Sequence, residues 1–83
     1  LESYLKRVSD IEAIAMSKTG VKQAYAINAG REIRVIANAK LMNDDEAVLV
    51  AKEIASEIQD KVQFPGEIKV NVIRELRAVE IAK

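Results

Sequence analysis

The sequence predicts a small α+β domain in which two helices cover one face of a three-stranded sheet. Two stretches repeat apolar residues at helical spacing, and three shorter stretches alternate apolar and polar residues as half-buried strands do. The order along the chain is helix, strand, strand, helix, strand. Because each element has one apolar face to bury, this order predicts a two-layer sandwich around a single core, over residues 1–83.

The first helix is predicted over residues 1–18. Its apolar face recurs every three or four positions, with Ile14 beside it. The residues of that face are Leu1, Tyr4, Leu5, Val8, Ile11 and Ala15. Gly20 is the natural stop, and Lys18 suits the negative end of the helix dipole. The pattern begins at the first residue without a capping side chain, so we expect that the sequence was cut from a longer chain.

Two alternating stretches around a glycine predict a β-hairpin with strands over 21–29 and 31–37. Gly30 can adopt the positive φ that the turn between them needs. The predicted core face consists of Val21, Tyr25, Ile27 and Ala29 in the first strand and of Ile33, Val35 and Ala37 in the second. Glu32 and Arg34 are expected on the opposite, solvated face.

The second helix is predicted to begin after the N-cap residue Asn43 and to end near Val62. The acidic trio Asp44-Asp45-Glu46 suits the positive end of the helix dipole, and this interpretation is favoured over a hard-cation site. The predicted apolar stripe consists of Val48, Ala51, Ala55, Ile58 and Val62, widened by Val50 and Ile54. Pro65 and Gly66 are the predicted turn residues after this helix, because proline disfavours helical geometry in the residue before it.

The third strand is predicted over 67–74, with Ile68, Val70 and Val72 on its core face. A helix that joins strands 2 and 3 implies a right-handed crossover, so strand 3 is expected to run parallel to strand 2. The result looks like a ferredoxin-like fold that lacks its first strand. Residues 75–83 fit either a short helical turn or an extended strand.

A three-stranded sheet has two edges, and an unprotected edge strand is a pairing site. Dimerisation through a sheet edge or through the uncovered face is therefore one expectation. The other is that the tail covers one edge and the domain is a monomer.

The residue inventory argues against catalysis by this chain alone. It contains no histidine and no cysteine, which removes the usual nucleophile systems and zinc sites. The isolated positions of Gly20, Gly30 and Gly66 exclude a phosphate-binding loop and the glycine clamp of a KH domain. We therefore expect no catalytic residue and no cofactor within this chain.

Lysine and arginine together number 13, as do aspartate and glutamate, so the formal net charge is zero. This balance argues against strong electrostatic capture of nucleic acid. Two local basic groups are nevertheless candidate interaction or RNA contacts, and they consist of Arg31 with Arg34 and Arg74 with Arg77. Parallel strands would put the two groups at opposite ends of the sheet. The competing interpretation pairs these arginines with surface carboxylates of Glu32, Glu75 or Glu80.

Two longer motifs resemble a known family. The first is Tyr25-Ala26-Ile27-Asn28-Ala29-Gly30-Arg31-Glu32-Ile33-Arg34-Val35. The second is Phe64-Pro65-Gly66-Glu67-Ile68-Lys69-Val70-Asn71-Val72-Ile73-Arg74-Glu75, followed by Arg77-Ala78-Val79-Glu80 and Ala82-Lys83. With the opening Leu1-Glu2-Ser3-Tyr4-Leu5-Lys6-Arg7, they resemble the C-terminal domain of bacterial ribonuclease Y. Three departures stand at Ala24 and Leu76, in place of small polar residues, and at Ile81, in place of an aromatic residue.

The resemblance implies a parent endoribonuclease that initiates messenger RNA turnover. Such a parent has a membrane helix, a coiled coil, a KH domain and a metal-dependent HD phosphohydrolase domain before a C-terminal domain like this one. The divalent metal and the catalytic residues would belong to the HD domain. The parent would lie on the cytoplasmic side of the bacterial membrane, while the isolated domain would be soluble.

Three roles for this chain follow as hypotheses. The first is an accessory module that forms a homodimer, braces the neighbouring HD domain or contacts other RNA-degradation proteins. The second is an RNA-contacting module that uses the four arginines on phosphates. The third is a small-molecule regulatory domain, which rests on fold analogy alone.

Overall fold

In the computed structural model, residues 2–64 and 66–83 are described, so the predicted helix residue Leu1 and the predicted turn residue Pro65 lie outside the described residues. The elements follow the predicted order. They are α1 (Glu2–Met16), β1 (Val21–Ile27), a 3-10 turn (Asn28–Gly30), β2 (Glu32–Asn38), α2 (Asp44–Lys61) and β3 (Lys69–Glu75). The predicted α+β class with two helices and a mixed three-stranded sheet is confirmed.

The sheet has the strand order β1-β2-β3. β1 and β2 are antiparallel, and β2 and β3 are parallel. The prediction that the third strand runs parallel to the second is therefore confirmed. Because β2 is central, β1 and β3 are the two edges of the sheet.

Both helices lie on one face of the sheet, with α1 over β1 and α2 over β3. The core between the layers is built from β-branched and small side chains. Its buried members are Ile11, Ala15, Ile33, Val35, Ile54, Ile58 and Val62. Alternate residues of β2 project into this layer, as the sequence predicts, because successive strand side chains point to opposite faces.

The start of α2 is fixed by a capping box. Asn43 accepts a hydrogen bond from the backbone N–H of Glu46, and the Glu46 carboxylate accepts one from the N–H of Asn43. The predicted N-cap is confirmed. The predicted apolar stripe is partly wrong, because the buried line runs through Ile54 and Ile58 while Val48 is more than half exposed. The stripe predicted from the sequence is thus rotated away from the core.

Tyr25 and Ile27 do not face the core, so the prediction of the core face is wrong at these two positions. The β1–β2 register shifts between Val21 and Gln23, which inserts an extra residue and reverses the faces of the strand beyond it. As a result Ala24 packs against the core and Tyr25 lies across from Arg34 on the other face. The alternation that the sequence displays cannot reveal such a bulge.

The hairpin turn shortens the predicted first strand, which ends at Ile27 rather than at Ala29. Asn28 and Ala29 both have positive φ, and Gly30 follows with φ of 80°. A side chain at Gly30 would also lie 3.4 Å from the Tyr4 ring. The glycine therefore serves both the turn and its contact with α1, as its predicted turn role requires.

Residues 76–83 form neither a helix nor a strand, so neither predicted conformation of the tail is adopted. All eight side chains are exposed, and the molecule measures 50 Å along its longest axis, against 29 and 18 Å across. Within the described ranges, no helix is both long and apolar enough to cross a bilayer.

Candidate interaction surfaces

The sheet face opposite the helices, here called the open face, mixes apolar and charged side chains. It follows from the register that its members alternate with the core residues of each strand. They are Gln23, Tyr25 and Ile27 of β1, Glu32, Arg34, Ile36 and Asn38 of β2, and Lys69, Asn71, Ile73 and Glu75 of β3. In the described part of the chain, both helices lie on the other side of the sheet, so this face is one of the surfaces available to a partner.

Glu32 is buried at the centre of a polar cluster on the open face, rather than solvated as predicted. Its carboxylate accepts hydrogen bonds from the side-chain amides of Asn28 at 3.1 Å and Asn71 at 3.3 Å. The Arg34 guanidinium lies 3.8 Å away. These partners compensate the desolvation of the carboxylate. Among the described residues, the Arg34 Nε is a buried nitrogen without a hydrogen-bond partner.

Arg74 joins β3 to the loop before α2. Its guanidinium donates to the carbonyls of Met42 at 2.8 Å and Ala39 at 3.3 Å, and to the Asp44 carboxylate at 2.7 Å. These acceptors occupy three of the five N–H donors of the guanidinium. The predicted interaction residue Arg74 is therefore part of the fold's own hydrogen bonding.

The four candidate arginines do not form one patch. Arg31 is exposed before β2, and Arg34 lies on the open face beside Glu32. At the other end, Arg74 points toward the helix layer, and Arg77 pairs with Glu75 at 2.8 Å. The predicted separation of the two groups is observed. Contact with RNA by these residues stays a prediction.

The two sheet edges differ in their protection. At the β1 edge, the Glu12 carboxylate of α1 accepts a hydrogen bond from the backbone N–H of Ala26 at 2.9 Å. A side chain therefore occupies a backbone donor that would otherwise be free to pair with another strand.

The β3 edge has no such cover in the part of the chain that the structure describes. The N–H of Lys69 donates to Arg31 and the carbonyl of Glu75 accepts from Ala39, each at 2.9 Å. These bonds show which peptide groups face β2. Since successive peptide groups of a strand point in opposite directions, the backbones of Val70, Val72 and Arg74 point outward.

A partly apolar groove runs beside the outward edge of β3, between that strand and α2. Its lining combines the apolar residues Ala55, Ile58, Phe64, Ile68 and Val70 with the polar residues Gln59 and Glu67. The groove borders the side of α2 that carries Ala55, a residue of the apolar stripe predicted from the sequence. Ala55 is exposed in this groove, and Phe64, Ile68 and Val70 are half-buried.

The tail exposes large apolar side chains directly after this edge. Leu76, Val79 and Ile81 are 69%, 75% and 78% exposed. Single exposed apolar residues are ordinary, but three within six positions of an unpaired segment suggest a binding role.

Two carboxylates outside the polar cluster are held in their charged form by neighbouring cations. Hydrogen bonds from Lys18 and Lys61 lower the pKa of Glu57, which links α2 to the turn that follows α1. Hydrogen bonds from Lys22 and Arg77 lower the pKa of Glu75, which links β1, β3 and the tail. Both shifts follow from direct partnership with the charged carboxylate.

The acidic trio at the start of α2 is engaged in local structure. Asp44 pairs with Arg74, and Glu46 belongs to the capping box. Within residues 2–64 and 66–83, no three potential metal-ligating side chains come close enough to hold an ion.

Several of these features were not visible in the sequence. Glu12 has the pattern of an ordinary solvated helix residue, and only the packing of α1 on β1 brings it to the backbone of Ala26. Glu32 belongs to the polar half of an alternation. The tail did carry a signal, because Val79 and Ile81 alternate as strand residues do.

The chain matches sequences of ribonuclease Y over its whole length. It is 82% identical over 83 residues to ribonuclease Y of Campylobacter fetus and to that of Campylobacter hominis, and 78% identical to that of Campylobacter jejuni. It covers 16% of the length of each of these curated relatives, in their C-terminal region. The resemblance seen in the motifs is confirmed. The chain matches no family model and no solved structure.

Proposed function

We propose that this chain is the C-terminal accessory domain of a ribonuclease Y and that it serves the parent by binding a second copy of itself. Its similarity to the C-terminal region of named ribonucleases Y supports the first part. The parent is then an endoribonuclease that initiates messenger RNA decay from the cytoplasmic side of the membrane. Its metal and its catalytic groups belong to its HD domain.

One observation carries the self-association part. The β3 edge is unpaired within the described chain, and a partly apolar groove and a tail with three exposed apolar side chains lie directly beside it. An edge of this kind is a template for strand addition, in which backbone hydrogen bonds give affinity and side-chain pockets give specificity. The contrasting cover of the β1 edge by Glu12 supports the view that β3 is the edge kept for pairing.

The balance of charge also favours a partner of the same kind. The chain has as many basic as acidic residues, so two copies do not repel each other through net charge.

The test is the mass of the 83-residue chain in solution over a wide concentration range. Sedimentation equilibrium and native mass spectrometry should both give a monomer–dimer equilibrium. A strict monomer at every concentration would overturn the self-association part.

RNA contact is a second candidate, favoured by the exposure of Arg31 and by the Arg34 side chain, which is 38% exposed. Titration of labelled single-stranded RNA at low salt is the check. Affinity that falls steeply with salt, and that Arg31→Ala and Arg34→Ala each reduce, would support it. Absence of any binding at low salt would remove it.

A further inference from the structure

The exposed tail of one copy fits the unpaired β3 edge of another. Resting on the self-association proposed above, we infer that each tail pairs antiparallel with β3 of the second copy, with Leu76 opposite Leu76 of that copy. Residues 69–83 of each copy then form one long strand at the interface, and the tail of each copy pairs with β3 of the other.

The backbone directions permit this register. Val70, Val72 and Arg74 present outward peptide groups. With Leu76 on the two-fold axis, these residues lie opposite Ala82, Glu80 and Ala78 of the second copy. If the tail continues the strand, its even-numbered residues present their peptide groups toward the same side. All of these pairs can then exchange two backbone hydrogen bonds, as antiparallel partners do.

Side-chain pairing supports the same register on the open face. Glu75 lies opposite Arg77 of the second copy, and the symmetry makes this pair twice. Ile73 lies opposite Val79, which joins two exposed apolar residues. Opposite charges and apolar pairs across strands are both stabilising.

The neighbouring registers are disfavoured by like charges. Moving the axis by one residue toward the N-terminus puts Glu75 opposite Glu75 of the second copy. Moving it by one residue the other way puts Arg77 opposite Arg77. Like charges directly opposite each other destabilise a strand pair.

Direct pairing of β3 with β3 is excluded by the helix above it. α2 lies over β3, so such pairing would bring two copies of α2 to about the strand spacing of 4.8 Å. Packed helices need about 8–10 Å between their axes. With Leu76 on the axis, the two β3 strands are offset by eight residues, or about 27 Å, so each α2 has only a tail beside it.

Cysteine cross-linking tests the register, because the chain has no cysteine of its own. Ile73→Cys and Val79→Cys would face each other as a non-hydrogen-bonded pair, with Cα atoms about 4.5 Å apart, within disulfide range. Mixing the two single variants under mild oxidation should give a disulfide heterodimer. A fold-back of the tail within one copy cannot produce it.

The matched control is the mixture of Ile73→Cys with Ile81→Cys, two residues out of register. Those Cα atoms would lie about 8 Å apart, beyond the reach of a disulfide. This mixture should remain largely unlinked.

A second pair of variants measures the energetic role of the tail. Leu76→Asp puts two carboxylates on the axis and removes two apolar side chains, so the dissociation constant of the dimer should rise at least about tenfold. Leu5→Asp changes another exposed leucine, 56% against 69%, on α1, the helix that packs over β1 at the other edge of the sheet. That variant should dimerise like the parent chain.

The outcomes separate the two levels of inference. A dimer that gives no disulfide between the Ile73→Cys and Val79→Cys variants, and that is equally sensitive to both leucine variants, overturns the register while leaving self-association standing. A dimer that links Ile73→Cys to Ile81→Cys instead also overturns it. A chain that is monomeric throughout overturns both levels.

Discussion

The two edge strands of this sheet pack on the same core, but the outward backbone groups of the two strands differ in their hydrogen bonding. At β1, an α1 carboxylate takes up the backbone N–H of Ala26. At β3, the outward peptide groups meet no side chain in the described residues, and the partly apolar groove beside them is open. The first edge has the kind of cover that prevents strand addition, and the second does not.

The exposure of the β3 backbone is therefore a local property of that edge and does not result from poor packing of the core behind it. Each edge is backed by a helix with a fully buried isoleucine, Ile11 on α1 and Ile58 on α2. A helix is therefore packed firmly behind each edge. The two edges differ in the hydrogen bonding of their outward backbone groups.

The largest expected losses of stability should be equal at the β1 and β3 edges. Ile11→Ala and Ile58→Ala each remove a buried side chain and leave a cavity, so each should lower the free energy of unfolding by about 2–5 kcal/mol. Urea denaturation followed by circular dichroism measures both. A loss at Ile58 far below that at Ile11 would contradict the view that the two edges rest on equal packing.

The arginines at the end of β3 should differ more sharply. Arg74→Ala removes three hydrogen bonds to the loop before α2, including one to a carboxylate, and should cost about 1.5–3 kcal/mol. Arg77→Ala removes a solvated ion pair with Glu75 and should cost about 0–1 kcal/mol. Equal losses in urea denaturation would show that the bonds of Arg74 do not anchor β3.

The sequence was sufficient where one local rule decides the structure. Asn43 followed three residues later by Glu46 predicts a helix start, and the capping box is there. The alternation of β2 predicts a buried face, and Ile33, Val35 and Ala37 are fully buried. The order of elements then sufficed for the parallel pairing of β2 with β3.

The sequence was insufficient where two elements meet. The bulge in β1 reverses the face of Tyr25, and no alternation rule contains it. Glu32 is buried because side chains from the hairpin turn and from β3 converge on it. The contact between Glu12 and Ala26 depends on how α1 crosses β1. All three are products of tertiary packing, which periodicity does not encode.

The protection of the β1 edge can be removed by one substitution. Glu12→Ala leaves the Ala26 N–H without its acceptor and should cost about 1 kcal/mol. Hydrogen exchange at that amide should accelerate, and the freed edge should promote additional association beyond a dimer. Glu12→Gln keeps an acceptor oxygen and is the matched control. If the alanine and glutamine variants exchange and associate alike, the carboxylate does not protect this edge.

The smallest expected effect is the loss of stability at acidic pH. The pKa of Glu57 and that of Glu75 are lowered in the folded chain by their lysine and arginine partners. A carboxylate with a lowered folded pKa stabilises the fold above its unfolded pKa, near 4.3 for glutamate, because it is ionised in both states there. That stabilisation is lost as the pH falls from about 4.3 through the lowered folded pKa of each group.

The double variant Glu57→Gln, Glu75→Gln should therefore show a shallower loss of stability than the parent chain between about pH 6 and pH 3. Glu80→Gln is the control, because it removes an exposed carboxylate that has no ion pair among the described residues. Urea midpoints at each pH measure the slopes. Because Glu57 joins α2 to the turn after α1 and Glu75 joins the strands at the β3 end, the two single variants assign the acid sensitivity to the helix side or to the open edge. Identical slopes for all variants would show that neither ion-paired carboxylate contributes to stability.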